Sequence, residues 1–266
     1  MYTRIVESTG TPMPAPSTRR TKPSTTAATH EDAPVITPSR EPRGARRKRE
    51  TRSRLIDAAL VLMAEKGMEG VAINEITEAA DVGLGSFYNH FESKEAIHAA
   101  VLESVFEEFA DTLDRMAADL TDPAETIAVA LRHTLLRARR DPVWGHFLIR
   151  EGLSARALSG GLGPRLLRDI QKGIIAQRFV TDEPLMSAIT VGGAVLAAIA
   201  IDLRFDAGEE PVTDMLKMVG YSQEGFAERT ASSLLQTLGV PRAEATEIAN
   251  RPLPVVVTLA KPVSDE

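Results

Sequence analysis

Residues 73–94, INEITEAADVGLGSFYNHFESK, decide the fold of this chain because they read as two short helices joined by a tight turn. Apolar residues recur at helical spacing in both halves, namely at Ile73, Ile76, Ala80, Phe87 and Phe91. The run Asp81-Val82-Gly83 between them consists largely of turn formers. A helix, a glycine-containing turn and a short polar helix are typical of the helix-turn-helix, whose second helix lies in the DNA major groove. An ordinary corner between two helices would show the same spacing.

The residues around this segment favour a helix-turn-helix over an ordinary corner between two helices. Residues 50–102 resemble the DNA-binding domain of the TetR family of bacterial repressors. The matching runs are RLIDAALVLMAEKG at 54–67 and INEITEAADVGLGSFYNHFESKEAI at 73–97. The segment GSFYNHF, followed by Ser-Lys-Glu, is similar to the family signature across the recognition helix and the start of the fourth helix. Beyond residue 102 the resemblance extends only to length, helical pattern and layout.

The resemblance implies which residues meet DNA. Family positions near base edges match Asn74, Gly83, Leu84, Gly85, Ser86 and Tyr88. Positions that hold phosphates match Tyr88, His90 and Lys94, and Asn89 lies among them as a further hydrogen-bond donor. Lys94 follows the predicted N-cap Ser93, so a cation stands at a helix N-terminus, which favours a phosphate there. Phe87 and Phe91 match core positions. Leu84 departs from the family, which often has a basic residue there, and offers only apolar contact.

Charge is distributed unevenly along the chain. The net charge is −6, but residues 40–54 contain eight Arg or Lys and two Glu, a local charge of +6. The remainder therefore carries −12. We expect Arg46, Arg47, Lys48 and Arg49 to contact DNA phosphates, although a solvated basic linker would have the same composition. Between residues 55 and 94 two lysines face seven acidic residues, so we expect this arm to supply much of the affinity.

The periodicity predicts an all-α protein. We expect a disordered tail with a basic end at 1–45, a three-helix DNA-binding domain at 46–93, a larger ligand-binding and dimerisation bundle at 94–250 and a C-terminal tail at 251–266. The predicted helices cover about 51–66, 72–80, 84–90, 94–118, 122–140, 141–150, 165–179, 184–206, 212–219, 222–238 and 241–249. Residues 152–164 are rich in glycine and are predicted to be a loop.

The stretch from Pro184 to Ile201 contains no charged residue. A spanning helix needs about 20 apolar residues, and this one is slightly short and contains Gly192 and Gly193. We therefore expect a helix buried on nearly all sides rather than a membrane span. There is no cysteine and no apolar N-terminal signal, which fits a protein of the reducing cytoplasm.

The family layout implies a small, largely apolar effector of unknown identity and a homodimer that reads a two-fold operator. By that analogy the helices at 184–206 and 222–238 pair with their copies. Candidates for the wall of the effector pocket are Phe106, Phe109, Leu113, His133, Leu136, Trp144, Phe147 and Arg150. Aromatic residues and leucines at helical spacing are also simply core residues.

Motifs of catalysis are missing from the sequence. There is no His-Glu-x-x-His, no Walker A sequence and no Gly-x-Ser-x-Gly, and the five histidines lack metal-ligand spacing. We therefore predict no enzyme, cofactor or metal, but a ligand-relieved repressor. The alternative is a helix-turn-helix protein without small-molecule input, which acts architecturally or through a protein partner.

Overall fold

The computed structural model describes residues 43–254, and every regular element in that range is a helix, as predicted. The predicted tail at 1–45 and the C-terminal tail at 251–266 lie outside the described residues, apart from 43–45 and 251–254.

The N-terminal part consists of α1 (Arg43–Lys66), α2 (Ile73–Ala79), α3 (Leu84–Tyr88) and the start of α4 (Lys94–Leu102). Its core is formed by side chains from all four helices, including Leu55, Ala59, Met63, Ile76, Phe87, Phe91 and Ile97. The first helix begins eight residues earlier than predicted. Residues 43–50 are rich in arginine, a good helix former, and Arg46 pairs with Glu50 one turn later at 2.7 Å.

The helix predicted at 94–118 is continuous but not uniform. After α4 it passes through a π-helical segment, Glu103–Glu108, and then becomes α5 (Phe109–Met116). π-Helical turns are rare and are frequently found at functional sites. The spacing of the apolar residues did not indicate this change of pitch.

The larger part contains α6 (Pro123–Arg140), α7 (Pro142–Glu151), α8 (Ala155–Ser159), α9 (Leu162–Ile175), α10 (Pro184–Asp206), α11 (Val212–Met218), α12 (Phe226–Thr237) and α13 (Arg242–Ala249). Asp122 caps α6 as predicted, since its carboxylate accepts a hydrogen bond from the Ala124 amide at 2.9 Å. The prediction of a loop at 152–164 was wrong, because Ser154 caps the short helix α8 within it.

The expectation that the helix at 184–206 is buried on nearly all sides was also wrong. One face of α10 packs against α6, α7 and α9, but the other is exposed and carries Leu185, Met186, Ile189, Gly193, Ala197 and Ile201. Among the described residues, α10 is the one helix long and apolar enough to cross a membrane, judged by length and composition. An apolar composition cannot tell whether the neighbours that cover a helix belong to the same chain.

A charged contact fastens the packed face of α10 to α6. Arg139 donates from Nε and Nη2 to the two carboxylate oxygens of Asp202, both at 2.8 Å, and the Tyr221 hydroxyl donates to the same carboxylate at 2.5 Å. The Asp202 side chain is only 5% exposed. Burial and the neighbouring carboxylate raise the pKa of Tyr221 well above its usual range. The phenol therefore stays protonated and keeps donating its hydrogen bond.

We expect Asp202→Ala to lower the free energy of unfolding by about 3 kcal/mol, because it leaves the Arg139 guanidinium without its partner in a partly buried site. The matched control is Glu209→Ala, which breaks the exposed Arg204–Glu209 pair and should cost under about 1 kcal/mol. Urea denaturation at one fixed protein concentration measures both. Equal losses in the two variants would contradict the structural role of the buried carboxylate.

Candidate nucleic-acid interface and ligand cavity

The turn between α2 and α3 is fixed by backbone hydrogen bonds. The Val82 amide donates to the Thr77 carbonyl at 3.0 Å, and Asp81 adopts a positive φ of 51°. Beyond the turn, Phe87 and Phe91 are buried, as the family match implied. They hold the inner face of α3 against the core of the N-terminal part, α1 to the start of α4, which we call the head. The outer face of α3 is left to solvent.

The outer face of α3 presents a shallow, open surface. Leu84 is 46% and Tyr88 54% exposed, although both are large and apolar in part. Gly83 and Gly85 are exposed, and a Cβ atom added at either would meet nothing within 4 Å. Asn74 on α2 and Asn89 after α3 are exposed as well, and Ser86 and His90 are half-buried. The residues predicted to meet base edges are therefore exposed or half-buried.

The start of α4 borders this surface. The Ser93 hydroxyl accepts a hydrogen bond from the Ala96 amide at 3.2 Å, which confirms the predicted N-cap. Lys94 occupies the first turn, and its Nζ lies 3.5 Å from the Glu69 carbonyl oxygen. This separation is at the long limit for a hydrogen bond.

The N-terminal turns of α1 lie beside the far end of α3. The guanidinium of Arg52 stands 5.1 Å from the centre of the Phe91 ring. Partial burial, together with the charges of Lys48 and Arg52, lowers the pKa of His90 below its usual range. The imidazole is therefore neutral at pH 7. The basic residues Arg46, Arg47, Lys48 and Arg49 are all exposed on these turns.

Between residues 55 and 94 there are few cations, and Lys66 is already paired with a carboxylate. Lys66 pairs with Glu75 at 2.6 Å, and the same carboxylate accepts the Ala72 amide at 2.8 Å to cap α2. The hydrogen bond and charge of Glu75 raise the pKa of Lys66. Most of the positive charge of this part of the chain lies on the first three turns of α1.

A cavity of about 450 Å³ lies in the larger part of the chain. Its wall is mostly aliphatic and comes from the π-helical segment and from α5, α6, α7, α8, α9 and α10. Phe106 and Leu113 are the two predicted wall residues that line it. The other predicted wall residues lie elsewhere: Phe109, His133, Leu136, Trp144, Phe147 and Arg150.

These six residues have structural contacts instead. Trp144 packs its ring edge-on to Phe109 at 4.9 Å, and Leu136 packs against the core. The His133 ring lies with Nε2 3.2 Å from the Pro254 carbonyl oxygen. A helix turns its residues to all sides, so helical spacing along α5, α6 and α7 could not select the side that faces the cavity.

Arg150 connects the cavity domain to the head. Its guanidinium donates to the Glu65 carbonyl at 3.0 Å and to the Ala64 carbonyl at 3.3 Å, which are open acceptors in the last turn of α1. Arg150 also leaves little room at Gly67, where an added Cβ would lie 3.1 Å from Nη1. The residue predicted to bind a ligand is thus a link between α7 and α1.

Sequence reasoning missed the polar part of the cavity wall, namely Asp114, Thr126, Thr134, Arg165 and Asp169. Asp114 accepts from Arg168 at 2.6 Å and from Arg165 at 3.0 Å, and these arginines hold its pKa below the usual range. The Thr134 hydroxyl donates to the Ala130 carbonyl at 2.7 Å. Because these charges are paired, the wall suits a neutral molecule better than an ion.

Within residues 43–254 no group of three or more His, Asp or Glu side chains is arranged to hold a metal ion.

Comparison with known proteins agrees with this geometry. The sequence model for bacterial regulatory proteins of the tetR family matches residues 55–101. A second model, described as the tetracyclin repressor-like C-terminal domain, matches residues 122–251. Among solved structures, RolR in complex with resorcinol is 37% identical, with a TM-score of 0.57, and the similarity covers 80% of this chain and 99% of RolR. The chain belongs to the TetR family.

Two curated relatives of this TetR family protein are similar over shorter stretches. The repressor DhaR of Mycobacterium sp. strain GP1 is 40% identical over 72 residues, which are 27% of this chain and 36% of DhaR. The repressor KstR of Mycolicibacterium smegmatis is 28% identical over 118 residues, 44% of this chain and 58% of KstR. The chain thus spans less than two thirds of the length of either relative.

Gly161, just before α9, lies very close to the π-helical segment. It has a φ of +65°, and an added Cβ would lie 2.5 Å from the Phe106 Cβ and 3.0 Å from the Phe106 carbonyl carbon. Its amide donates to the Glu107 carboxylate at 2.5 Å. Any larger residue would push the loop before α9 away from the segment.

We expect Gly161→Ala to lower the free energy of unfolding by roughly 2 kcal/mol more than Gly208→Ala does. The reason is that the methyl group added at position 161 overlaps backbone atoms, whereas the one added at position 208 does not. Gly208 is the matched control, since it has a φ of +69° but nothing within 4 Å of an added Cβ. It should lose roughly 1 kcal/mol from backbone strain alone. Thermal and urea denaturation compare the two variants, and equal costs would contradict the close approach at Phe106.

Proposed function

We propose that this chain is a sequence-specific DNA-binding repressor of the cytoplasm, which acts as a homodimer on a palindromic operator and is released by a small molecule. The observation that carries the proposal is the open α3 surface, held from beneath by Phe87 and Phe91 and bordered by the basic turns of α1. The names of the repressors DhaR and KstR support the same assignment.

In this proposal, base contacts and phosphate contacts are made by largely different residues. Asn74, Gly83, Leu84, Gly85, Ser86 and Tyr88 meet base edges, and Leu84 gives apolar contact to a thymine methyl group. Tyr88, Asn89, His90, Lys94 and the arm Arg46–Arg49 hold phosphates. Phosphate contacts position the head, and base contacts specify the sequence.

The effector proposed for the cavity is a neutral, largely apolar molecule. A volume of about 450 Å³ suits a small organic compound, and most of the wall is aliphatic. Hydroxyl groups on such a molecule would find partners at Thr126, Thr134 and the Asp114–Arg165 pair. RolR, whose structure holds resorcinol, supports a small neutral compound of this kind.

Release follows from a shift between two states of the protein. The helix of α4, the π-helical segment and α5 runs from the head to the cavity wall, and Phe106 on it lines the cavity. An effector that fits better when this helix has moved would favour heads too far apart for both half-sites. It can bias the equilibrium only by its difference in affinity for the two states.

The alternative without a small-molecule input remains distinct from this proposal. A helix-turn-helix protein that acts architecturally, or through a protein partner, needs no cavity and would fill its larger part with side chains. The cavity of about 450 Å³ therefore favours an effector-controlled regulator.

Selection of genomic fragments with the purified protein, followed by footprinting, tests the function. We expect a protected palindrome whose half-sites lie about 34–36 Å apart or a multiple of that distance. Gly85→Leu should abolish the footprint while leaving the melting temperature unchanged, because the new side chain points into open space that DNA would occupy. Ala118→Leu, which places the same side chain at an exposed site after α5, should leave the footprint intact. Weak binding without sequence preference would favour the architectural alternative.

The arm has its own salt-dependence test. Replacing Arg46, Arg47, Lys48 and Arg49 together by glutamine should weaken operator binding and reduce the slope of log K against log salt by about 0.9 for each phosphate that the variant no longer neutralises. The control replaces four exposed cations of the larger part, Arg115, Arg140, Lys217 and Arg242, so that net charge changes equally. Titrations at several salt concentrations compare the variants. The same slope in the arm variant as in the wild type would show that the arm does not touch phosphate.

A further inference from the structure

Helix α8 has few contacts that fix it to the rest of the fold. It packs mainly against α9, and of its five residues Ala157 is buried. The hydroxyl groups of Ser154 and Ser159 bond to backbone groups of the same segment. Within residues 43–254, no side chain of 153–160 forms a hydrogen bond or an ion pair with another helix. A segment with so few contacts opens locally at low cost in free energy.

The two ends of this segment are held closely, by contrast. At the N-terminal end Gly152 lies against α10, since an added Cβ would be 3.1 Å from the Leu196 side chain. At the C-terminal end the Gly161 amide donates to the Glu107 carboxylate at 2.5 Å. Residues 153–160 therefore lie between two fixed points and have little packing of their own.

A cavity lies on each side of α8. Ala157 and Leu158 face the effector cavity of about 450 Å³. Arg156, Ser159 and Gly160 line a second space of about 320 Å³, which lies between α8 and the helix formed by α4, the π-helical segment and α5. We call this second space the rear hollow. A helix with a cavity on two sides lacks the dispersion contacts that would hold it in one position.

The mouth of the effector cavity lies between α8 and α10. Four large apolar side chains line the cavity and are nevertheless more than half exposed, namely Leu153, Leu158, Leu185 and Ile189. The first two belong to the α8 segment and the other two to α10. Helix α10 packs against α6, α7 and α9 and is fastened through Asp202. Of the two rims of the mouth, α8 is therefore the one with room and freedom to move.

We propose that α8 is a movable lid on the effector cavity. When it moves back into the rear hollow, the mouth widens and admits the effector. When it moves forward, Leu153 and Leu158 cover the bound molecule. The proposal rests on the effector cavity of the proposed function and adds the element that controls entry to that cavity.

Apolar burial makes closure depend on the effector. Leu153 is 68% and Leu158 59% exposed, so a lid that closes over an apolar molecule removes much apolar surface from water. Closure over a cavity without an effector would leave both side chains facing a void, where they gain few dispersion contacts. The lid is therefore open in the free protein and closes when an effector fills the cavity.

The rear hollow suits a helix that moves in and out of it. Its lining includes the polar side chains of Glu103, Glu107, Arg156 and Ser159. Water can solvate these groups when α8 moves forward. Retreat of α8 brings Arg156 closer to the two carboxylates, so the movement leaves no charge buried without a partner.

Hydrogen exchange of the wild-type protein tests the mobility of α8 without any ligand. We expect the amides of α8 to exchange at least about 100-fold faster than those at 170–174 in α9, because α8 needs only a local opening. Equal exchange rates in the two helices would show that α8 is held as firmly as its neighbour, and this would overturn the proposal.

A bulky residue in the rear hollow tests the direction of movement. Ser159→Trp fills part of this hollow and leaves the lid less room to retreat. The probe is N-phenyl-1-naphthylamine, a neutral dye whose fluorescence rises in apolar surroundings. By stopped-flow fluorescence we expect its association and dissociation rates both to fall at least about fivefold, with Kd unchanged within about twofold.

Ala155→Trp is the matched control, because it places the same side chain at an exposed residue of α8 that lines neither cavity. Both rates should then equal those of the wild type. A parallel change in both rates distinguishes a lid from a residue that only contacts the bound dye, since such a contact changes Kd. Wild-type rates in Ser159→Trp, or a weaker Kd without slower association, would contradict the lid.

A third variant tests whether the dye enters the cavity. Ala130→Trp fills the cavity from α6 and should abolish the fluorescence signal. A signal that persists in this variant, or its absence in the wild type, would mean that the mouth does not admit a neutral apolar molecule, which also refutes the lid. Footprinting of the same preparations separates the two proposals, because a retained footprint leaves the regulator assignment standing however the dye behaves.

Discussion

The burial of Phe87 and Phe91 is the constraint on which the DNA-facing surface depends. Helix α3 has five residues, and an isolated helix of that length is not stable in water because nucleation costs more than so few hydrogen bonds return. The two aromatic rings pack α3 against the core of the head, while the residues of its outer face remain exposed. Gly83 and Gly85 can therefore lack side chains, which leaves the backbone of this face accessible.

The head is joined to the larger part at two places with different mechanical character. One is the continuous helix that begins at Lys94 and changes pitch in the π-helical segment next to the cavity. The other is Arg150, which binds carbonyls at the end of α1. A change in the pitch of the helix would alter the angle of the head unless the hydrogen bonds of Arg150 broke. The two links together make the position of α3 depend on the cavity wall.

The sequence could predict the features that depend on residues close to one another along the chain. Capping by Ser93 and Asp122 and the bounds of α10 involve neighbours in the chain, and the structure confirmed them. The cavity wall depends on which side of α6 and α7 faces α9 and α10, and helical spacing carries no such information. Trp144 and Phe147 were therefore placed in the pocket, whereas the structure packs them in the core. The exposed face of α10 escaped prediction because composition does not show which sides of a helix its neighbours cover.

The distribution of charge separates the two ligands of the proposed function. Carboxylates of the larger part are largely paired with its own arginines, as at Asp114 and Asp202, so the cavity suits a neutral molecule. The excess acidic charge of that part still repels a polyanion. On the head, Lys66 is held by Glu75, Lys94 lies on α4, and most of the other cations lie on the first turns of α1. DNA is therefore attracted to only one end of the molecule, the end that carries α3, and the field orients the protein before any base is read.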